Sequence, residues 1–277
     1  MVAEGFHGAP GRRALGGIGM KMRAAGLGRI RDICLVAGLL LAPVAIYVPL
    51  DHWLAGLFHL GGGEFWLTDS WVGTAFHGYI RPAFYWLLAA LVVALAVRSF
   101  RMPGHRWLTV RRLLYVGAVV GLGLGLVTNN ILKDRFDRPR PMQTVEYGGE
   151  ARYQPPVLPA KGCERNCSFV SGDAAAGFVL IALPLAFASG RRRWQMMKVT
   201  LWIGAMVGLL RMLNGSHYLF DVVYAGLINV AIAAVLWRPF MRWRWAEIRA
   251  LPGRLAAMGR AAGEGAAFAW RWLRHPR

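Results

Sequence analysis

Acidic residues are scarce in this sequence of 277 residues, which has 14 Asp and Glu against 33 Lys and Arg and a formal net charge of +19 at pH 7. Charged residues of both signs make up only 17% of the chain, while 56% of it is hydrophobic. A soluble domain of this length normally contains more charge and less apolar sequence. The composition therefore argues against a soluble protein.

A motif for binding DNA or RNA is also missing, although a net charge of +19 is common among proteins that bind nucleic acid. The basic residues occur in blocks that alternate with long apolar runs. A membrane protein with basic cytoplasmic loops explains both the charge and the apolar content. We therefore expect the lipid bilayer as a partner and no nucleic acid.

Long apolar runs are abundant, and a run of about 20 residues is enough to cross a bilayer as a helix. The first run follows basic residues, as a signal peptide would, but its length and the lack of a small-residue cleavage site favour an uncleaved anchor. We predict an all-α, polytopic membrane protein with six transmembrane helices. The six candidate runs cover about residues 31–50, 79–98, 113–132, 171–189, 199–214 and 219–237.

The same runs predict three regions in the chain. Residues 1–29 are rich in Gly, Ala and Arg and are expected to be a basic, disordered cytoplasmic segment. Residues 30–237 form the six-helix membrane domain, and residues 238–277 form a basic, Trp-rich cytoplasmic tail. This tail suits either a segment lying on anionic headgroups or a solvated tail that only fixes the topology.

Basic residues also predict the orientation of the helices. Basic blocks precede the first run and follow the second, fourth and sixth, so both termini are expected in the cytoplasm. The outer loop at about residues 133–170 breaks this rule, and an anionic substrate is a reason for cations on the outer side. Its basic residues are Lys133, Arg135, Arg138, Arg140, Arg152, Lys161 and Arg165.

Three polar clusters lie at helix boundaries that this topology places on the outer side. The first is KDRFDRPRP, in which Lys133 and Arg140 are separated by six residues. The second opens the fourth run with Ser171, Gly172 and Asp173, and the third is RMLNGSHYLFD between the last two runs. The third cluster contributes Arg211, His217 and Asp221.

These residue types together predict a phosphate site. Arg and Lys side chains bind phosphate oxygens and stabilise the charge that spreads over them during transfer. Ser171 and Gly172 add backbone amides at a helix N-terminus. His217 and Asp221 are four residues apart, so on a helix Asp221 can hold one ring nitrogen while the other attacks phosphorus. Asp, Glu and His show no clear metal-ligand spacing, so we expect neither metal nor cofactor.

The order of these clusters resembles the type 2 phosphatidic acid phosphatases, which are related to the vanadium haloperoxidases. Their pattern is K-x6-R-P, then P-S-G-H, then S-R-x5-H-x3-D, and the resemblance covers about residues 79–237. It implies a PAP2-like helical bundle, with His217 as the nucleophile of a phosphohistidine intermediate and Asp221 as its orienting partner. The residues that match the phosphate-binding positions are Lys133, Arg140, Arg211, Ser171 and Gly172, and Pro141 also matches.

Three positions depart from the family pattern. Val170 replaces its proline and Leu210 replaces its serine. Asp173 stands where the family has a histidine that protonates the leaving oxygen. A carboxyl group can do this only when it is protonated in the substrate complex, and we hypothesise that Asp173 acts in this way.

The resemblance implies a metal-independent phosphatase acting on a lipid phosphate at the periplasmic face of a bacterial inner membrane. Lipid A, undecaprenyl diphosphate and glycerophospholipid phosphates are the candidate substrates. The alternative is a degenerate relative that binds or transports a lipid phosphate without cleaving it, and Asp173 alone motivates this reading.

Two further features of the outer loop remain open. Arg135 and Arg138 match no family position and are interpreted as headgroup contacts. Cys163 and Cys167 lie on the side expected to be oxidising, so they form either a short disulfide or two free thiols.

Overall fold

The computed structural model describes residues 11–101, 106–133, 135–160, 163 and 167–242, and these residues are mainly helical. Contacts divide the chain into two units, Met1–Phe240 and Met241–Arg277, and the described residues lie almost entirely in the first. The helices are α1 (Gly11–Tyr47), α2 (Leu50–Phe58), α3 (Trp71–Ala75), α4 (Arg81–Arg101), α5 (Arg106–Val119), α6 (Gly172–Phe178), α7 (Ala182–Phe187), α8 (Gly190–Leu213) and α9 (Leu219–Arg242).

Several of these helices are joined by short stretches with a different helical winding. Phe76–Ile80 joins α3 to α4 as a π-helix, and Val120–Leu132 continues α5 in the same form. Val179–Ile181 joins α6 to α7 as a 3₁₀-helix. Two more 3₁₀ turns, Pro141–Gln143 and Val145–Tyr147, lie in the loop after α5.

Five helical segments in the described part of the chain are long and apolar enough to cross a membrane. They agree with five of the six predicted runs and have similar bounds. The segments are Leu27–Tyr47, Trp71–Ala94, Val110–Leu132, Gly190–Leu213 and Leu219–Arg242.

The fourth predicted run differs, so the count of six spans is not confirmed. Its apolar helix covers only Gly172–Phe187, and Val179–Ile181 interrupts it. Sixteen residues at about 1.5 Å each reach about 24 Å, which is less than the hydrocarbon thickness of about 30 Å. Most of its side chains are buried in the bundle, including Ala174, Ala175 and Ala176. The apolar sequence therefore serves helix packing as well as any contact with lipid.

The termini correspond only in part to the predicted regions. α1 begins at Gly11, so part of the segment predicted to be disordered, residues 1–29, is helical in the structure. Residues 1–10 lie outside the described residues. The same holds for residues 243–277, which include most of the predicted Trp-rich tail.

The segment between the first two spans contains structure that the sequence patterns did not predict. After α2 the chain forms a small antiparallel hairpin of β1 (His59–Gly61) and β2 (Glu64–Phe65). Ala55 and Phe65 from this region pack with Tyr147 and Tyr218 in one buried cluster. Since Tyr218 follows His217, this cluster supports the turn that carries the candidate nucleophile.

A tight turn connects α8 to α9. Gly215 has φ +63°, and a Cβ at this position would lie 2.4 Å from the Phe65 ring. Only glycine adopts this conformation readily and also leaves room for the ring. The backbone N–H of Ser216 donates to the carbonyl of Arg211 at 3.0 Å. The turn thus brings Arg211 and His217 to the same end of the bundle.

Candidate active site

All the candidate phosphate-binding groups lie at one end of the helices. Lys133 follows the end of the third span, Ser171 caps the N-terminus of α6, and Arg211 lies in the last turn of α8. Burial lowers the pKa of Lys133, and the positive charges of Arg140 and Arg211 lower it further. Burial also lowers the pKa of Arg140. Three cations held close together and partly out of water are well suited to an anion.

Gly172 lies directly beside Lys133. A Cβ at Gly172 would be 3.3 Å from Lys133 Nζ and 2.9 Å from Asn129 Oδ1. The Ser171 hydroxyl accepts a hydrogen bond from the Ala174 N–H at 3.4 Å and remains able to donate to an anion. The missing side chain of Gly172 therefore lets the lysine approach the start of α6.

His217 is buried, with only 2% of its surface exposed. Its Nδ1 lies 2.8 Å from the backbone carbonyl oxygen of Ser168. A carbonyl oxygen only accepts, so Nδ1 must carry the proton and Nε2 keeps its lone pair. Burial lowers the pKa of His217 to about 4, and the charges of Arg211 and Arg140 act in the same direction. At neutral pH the ring is therefore a neutral imidazole that can act as a nucleophile through Nε2.

Asp221 lies next to His217, but it does not make the shortest contact to the ring. Asp221 Oδ2 is 3.6 Å from His217 Nδ1 and accepts a hydrogen bond from the Ser168 hydroxyl at 2.5 Å. The same oxygen accepts the backbone N–H of Tyr218 at 2.9 Å. Asp221 thus orients the ring partly through Ser168, which contacts both residues.

Asp173 contacts a cation and a phenol. Its Oδ2 lies 3.2 Å from Arg211 Nε, and its Oδ1 accepts a hydrogen bond from the Tyr85 hydroxyl at 3.3 Å. The sequence did not predict this ion pair between Asp173 and Arg211. The carboxylate therefore lies beside one of the cations expected to bind phosphate.

The interpretation of Arg138 as a headgroup contact is wrong. Arg138 is only 1% exposed, and its Nη1 and Nη2 donate to Asp221 at 2.5 Å and to Asp51 at 2.8 Å. Its Nε donates to the carbonyl of Gln154 at 2.9 Å. The sequence could not reveal this because Asp51 lies 87 residues away in the chain. Arg135, by contrast, is exposed.

Four residues of the site were missed: Asp51, Ser168, Tyr85 and Arg81. Asp51 and Ser168 carried no signal, because each reads as an ordinary polar residue of an outer loop. Arg81 did carry one, since it is a charged residue within an apolar span, and such residues are usually functional. Its positive charge lowers the pKa of both Lys133 and Arg140, so it lies near these two candidate phosphate-binding cations.

A cleft opens beside these residues between α4, α6 and α8. Its wall is mainly apolar and includes Phe76, Ile80 and Phe84, while Arg81 and Asp173 contribute charge. The cleft therefore joins an apolar surface to the charged end of the bundle.

Cys163 and Cys167 form a disulfide in the structure, with Cα atoms 5.7 Å apart. The bridge immediately precedes Ser168, whose backbone N–H donates to the carbonyl of Arg138 at 2.8 Å. Residues 164–166 between the cysteines are outside the described residues. The bridge constrains the segment that carries Ser168, whose carbonyl contacts His217 and whose hydroxyl contacts Asp221.

A buried histidine paired with a carboxylate, with cations clustered nearby at one end of a helical bundle, is an arrangement suited to binding and transferring phosphate. The family model of the PAP2 superfamily matches residues 114–245. Over these residues, which are slightly less than half of the chain, the sequence is similar to the PAP2 superfamily.

Three similar bacterial proteins carry the same name, lipid A 4'-phosphatase. The protein from Francisella tularensis subsp. novicida is 29% identical over 188 residues, which is 66% of this chain and 82% of that protein. The proteins from Rhizobium etli and Rhizobium leguminosarum are each 36% identical, over 44% and 42% of this chain and 46% and 49% of their own lengths. The chain thus spans about half of the two Rhizobium proteins. No solved structure matches the chain.

Proposed function

We propose that this protein is a membrane lipid phosphatase that removes phosphate from a phosphomonoester or diphosphate through a phosphohistidine at His217. The observation that carries the proposal is the hydrogen bond at 2.8 Å from His217 Nδ1 to the Ser168 carbonyl. This bond fixes the tautomer whose Nε2 is nucleophilic, while Arg211 and Arg140 are close enough to lower the pKa of His217. Lys133 completes the cationic group that would hold the phosphate.

The reaction proceeds in two steps. The lone pair of His217 Nε2 attacks phosphorus, the P–O bond to the lipid breaks, and the leaving oxygen takes a proton. Nδ1 keeps its proton throughout, so the phosphorylated ring is a cation. Water then attacks phosphorus, the P–N bond breaks with its electron pair returning to Nε2, and the proton lost by water leaves with phosphate or solvent. The cations offset the charge on the phosphoryl oxygens without a metal ion.

Asp173 is proposed as the donor of the leaving-group proton. When phosphate binds Arg211, the ion pair of Asp173 with that arginine is disturbed by a second anion. Asp173→Asn should then lower turnover most strongly for lipids with poor leaving groups, and unchanged turnover would exclude this role.

Lipid A is the first substrate to test, because all three similar proteins are named lipid A 4'-phosphatases. Undecaprenyl diphosphate and glycerophospholipid phosphates remain the other candidates. The apolar cleft beside Arg81 and Asp173 is the proposed path by which the lipid reaches the cations from the bilayer.

The proposed orientation places both termini in the cytoplasm and the site at the periplasmic face of a bacterial inner membrane. It requires Gly172–Phe187 to act as a sixth, short crossing between the third span and α8. Under this arrangement residues 30–237 form the catalytic domain between a basic N-terminal segment and a basic tail.

The deciding experiment measures phosphate release from a panel of lipid phosphates with EDTA present. The wild type should release phosphate from at least one lipid, and His217→Ala should release none.

A second candidate function, binding or transport without cleavage, is favoured only by the contact of Asp173 with Arg211. It predicts binding of a lipid phosphate by the wild type with no phosphate released.

A further inference from the structure

Arg138 connects Asp221 in the candidate site to Asp51 in the segment after the first span. The groups around Arg138 leave it almost no access to water. It donates to Asp221 on one side and to Asp51 on the other, and all three side chains are at most 1% exposed. Its guanidinium also lies on the Tyr218 ring, 4.1 Å from the ring centre. An arginine with this many partners is fixed in position.

Asp51 is equally constrained. Its Oδ2 accepts from Arg138 Nη2 at 2.8 Å, and its Oδ1 accepts the backbone N–H of Phe220 at 2.9 Å. Phe220 lies in the first turn of α9, one residue before Asp221. Asp51 therefore connects the start of α2 both to the helix that carries Asp221 and to the arginine that binds Asp221.

The charges of this buried group do not balance. One guanidinium serves two carboxylates, Asp51 and Asp221, so the group carries a net charge of about −1 when both acids are ionised. Burial lowers the pKa of Arg138, but the two carboxylates outweigh burial and raise it above its ordinary value. Burial raises the pKa of Asp51 to about 6, so at neutral pH it is mainly ionised.

The positive charge that would balance the group arises during the proposed reaction. His217 is neutral before attack and cationic once Nε2 holds the phosphoryl group, and Asp221 Oδ2 is 3.6 Å from its Nδ1. If Arg138 bound Asp221 alone, that carboxylate would already be neutralised. Because Arg138 is shared with Asp51, Asp221 keeps more of its negative charge for the imidazolium ring.

We infer that Asp51 and Arg138 are positioning residues of the phosphoryl-transfer site. Arg138 fixes the position of Asp221. Asp51 leaves the buried group with an excess negative charge, and this charge stabilises the phosphorylated His217. The inference rests on the proposed function, because it assigns a role in that reaction. Both residues act through Asp221 and not on the substrate, so they should affect the chemical step more than phosphate binding.

The test compares Asp51→Asn with Asp69→Asn in the purified full-length protein. Both changes remove one negative charge from the same outer loop, but Asp69 is exposed. For Asp51→Asn we expect kcat to fall at least about 10-fold, with KM for the lipid and the inhibition constant of inorganic phosphate within about threefold of wild type. Asp69→Asn should match the wild type in all three constants.

Arg138→Lys provides a second variant, since it keeps the charge but cannot bridge both carboxylates. It should also lower kcat while inorganic phosphate still inhibits. A kcat within twofold of wild type for Asp51→Asn would overturn the inference, and so would loss of phosphate inhibition together with activity, because that pattern assigns Asp51 to folding. An inactive wild type would instead remove the proposed function itself.

Discussion

At the scale of single residues, the chemistry depends on which nitrogen of His217 carries the proton. The backbone carbonyl of Ser168 decides this at 2.8 Å, and a backbone group cannot change its protonation with pH. In the proposed reaction the ring is thus prepared as a nucleophile before any substrate arrives. Asp221 would be needed mainly after attack, when the ring becomes positive.

Burial of His217 predicts an unusual pH profile. Its pKa is lowered to about 4, against an ordinary value of about 6.5, so the ring stays neutral until the pH falls well below 6. In the Asp51→Asn variant, which lacks the titration of Asp51 near pH 6, the acidic limb of kcat/KM should therefore have its midpoint near pH 4 in the free enzyme. Measuring kcat/KM of this variant between about pH 3.5 and 8 checks this, and a midpoint near 6.5 would show that the ring is exposed to water.

The same shift has a consequence for stability. Between pH 6.5 and about 4 the unfolded chain binds a proton at His217 that the folded chain excludes, so stability should decrease as the pH falls through this range. Replacing the ring by an uncharged side chain removes that proton uptake. His217→Gln should thus lose less thermal stability than the wild type between pH 6.5 and 5, measured by melting in detergent.

Gly172 gives a steric prediction next to the cations proposed to bind phosphate. A Cβ there would press on Asn129 Oδ1 at 2.9 Å and on Lys133 Nζ at 3.3 Å. Gly172→Ala should displace Lys133 and raise the inhibition constant of inorganic phosphate by about 10-fold or more, roughly the loss of one charge-assisted hydrogen bond. Gly121→Ala is a suitable control, because its Cβ would meet no atom within 4 Å. Equal phosphate inhibition in both variants would contradict this placement of Lys133.

At the scale of secondary-structure elements, the turn between α8 and α9 is the feature that brings the third motif together. Gly215 and Gly62 have nearly the same backbone angle, φ +63° and φ +61°, but only Gly215 is packed against a side chain, Phe65. Alanine at either position meets the same backbone cost of about 1 kcal/mol. The difference between the two variants therefore isolates the contact with Phe65.

Gly215→Ala should lower the melting temperature more than Gly62→Ala and should also lower kcat, because the turn sets the distance between Arg211 and His217. Thermal melting and phosphate release by both purified variants are the measurements. Equal melting temperatures with equal activities would mean that the turn has room to adjust.

The elements also show how much of the molecule the sequence could predict. Five apolar runs became long helices because bilayer thickness imposes their length, and the three motifs fell at the predicted helix ends. The run at 171–189 is equally apolar, yet its residues pack within the bundle, and burial in protein and burial in lipid select the same residue types. α2 and the hairpin were missed because short elements carry little periodicity.

Prediction of the site was limited by contacts between residues that are far apart in the chain. Motif order predicted His217, Asp221 and the cations, since each lies within a short stretch of sequence. Asp51 could not be assigned, because its partners Arg138 and Phe220 are 87 and 169 residues away. Arg138 stands among other arginines in KDRFDRPRP, and sequence alone does not say which of them faces inward.

At the scale of the whole molecule, the proposed orientation makes a prediction about the two faces of the membrane. Val145 lies in the loop after the third span and is 60% exposed, while Arg192 is exposed at the start of α8. In intact cells a membrane-impermeant thiol reagent should label Val145→Cys but not Arg192→Cys. Labelling of the second variant only after permeabilisation completes the expected pattern, and the reverse pattern would place the site in the cytoplasm.

The most direct test of the account is to trap the covalent intermediate. A single turnover of a phosphate-labelled lipid is quenched in alkali, which preserves phosphohistidine, and the modified peptide is identified by mass spectrometry. The account predicts label on His217 in the wild type and none in His217→Ala, with EDTA present throughout. Phosphate release by the wild type without labelled protein, or by His217→Ala at a comparable rate, would contradict it.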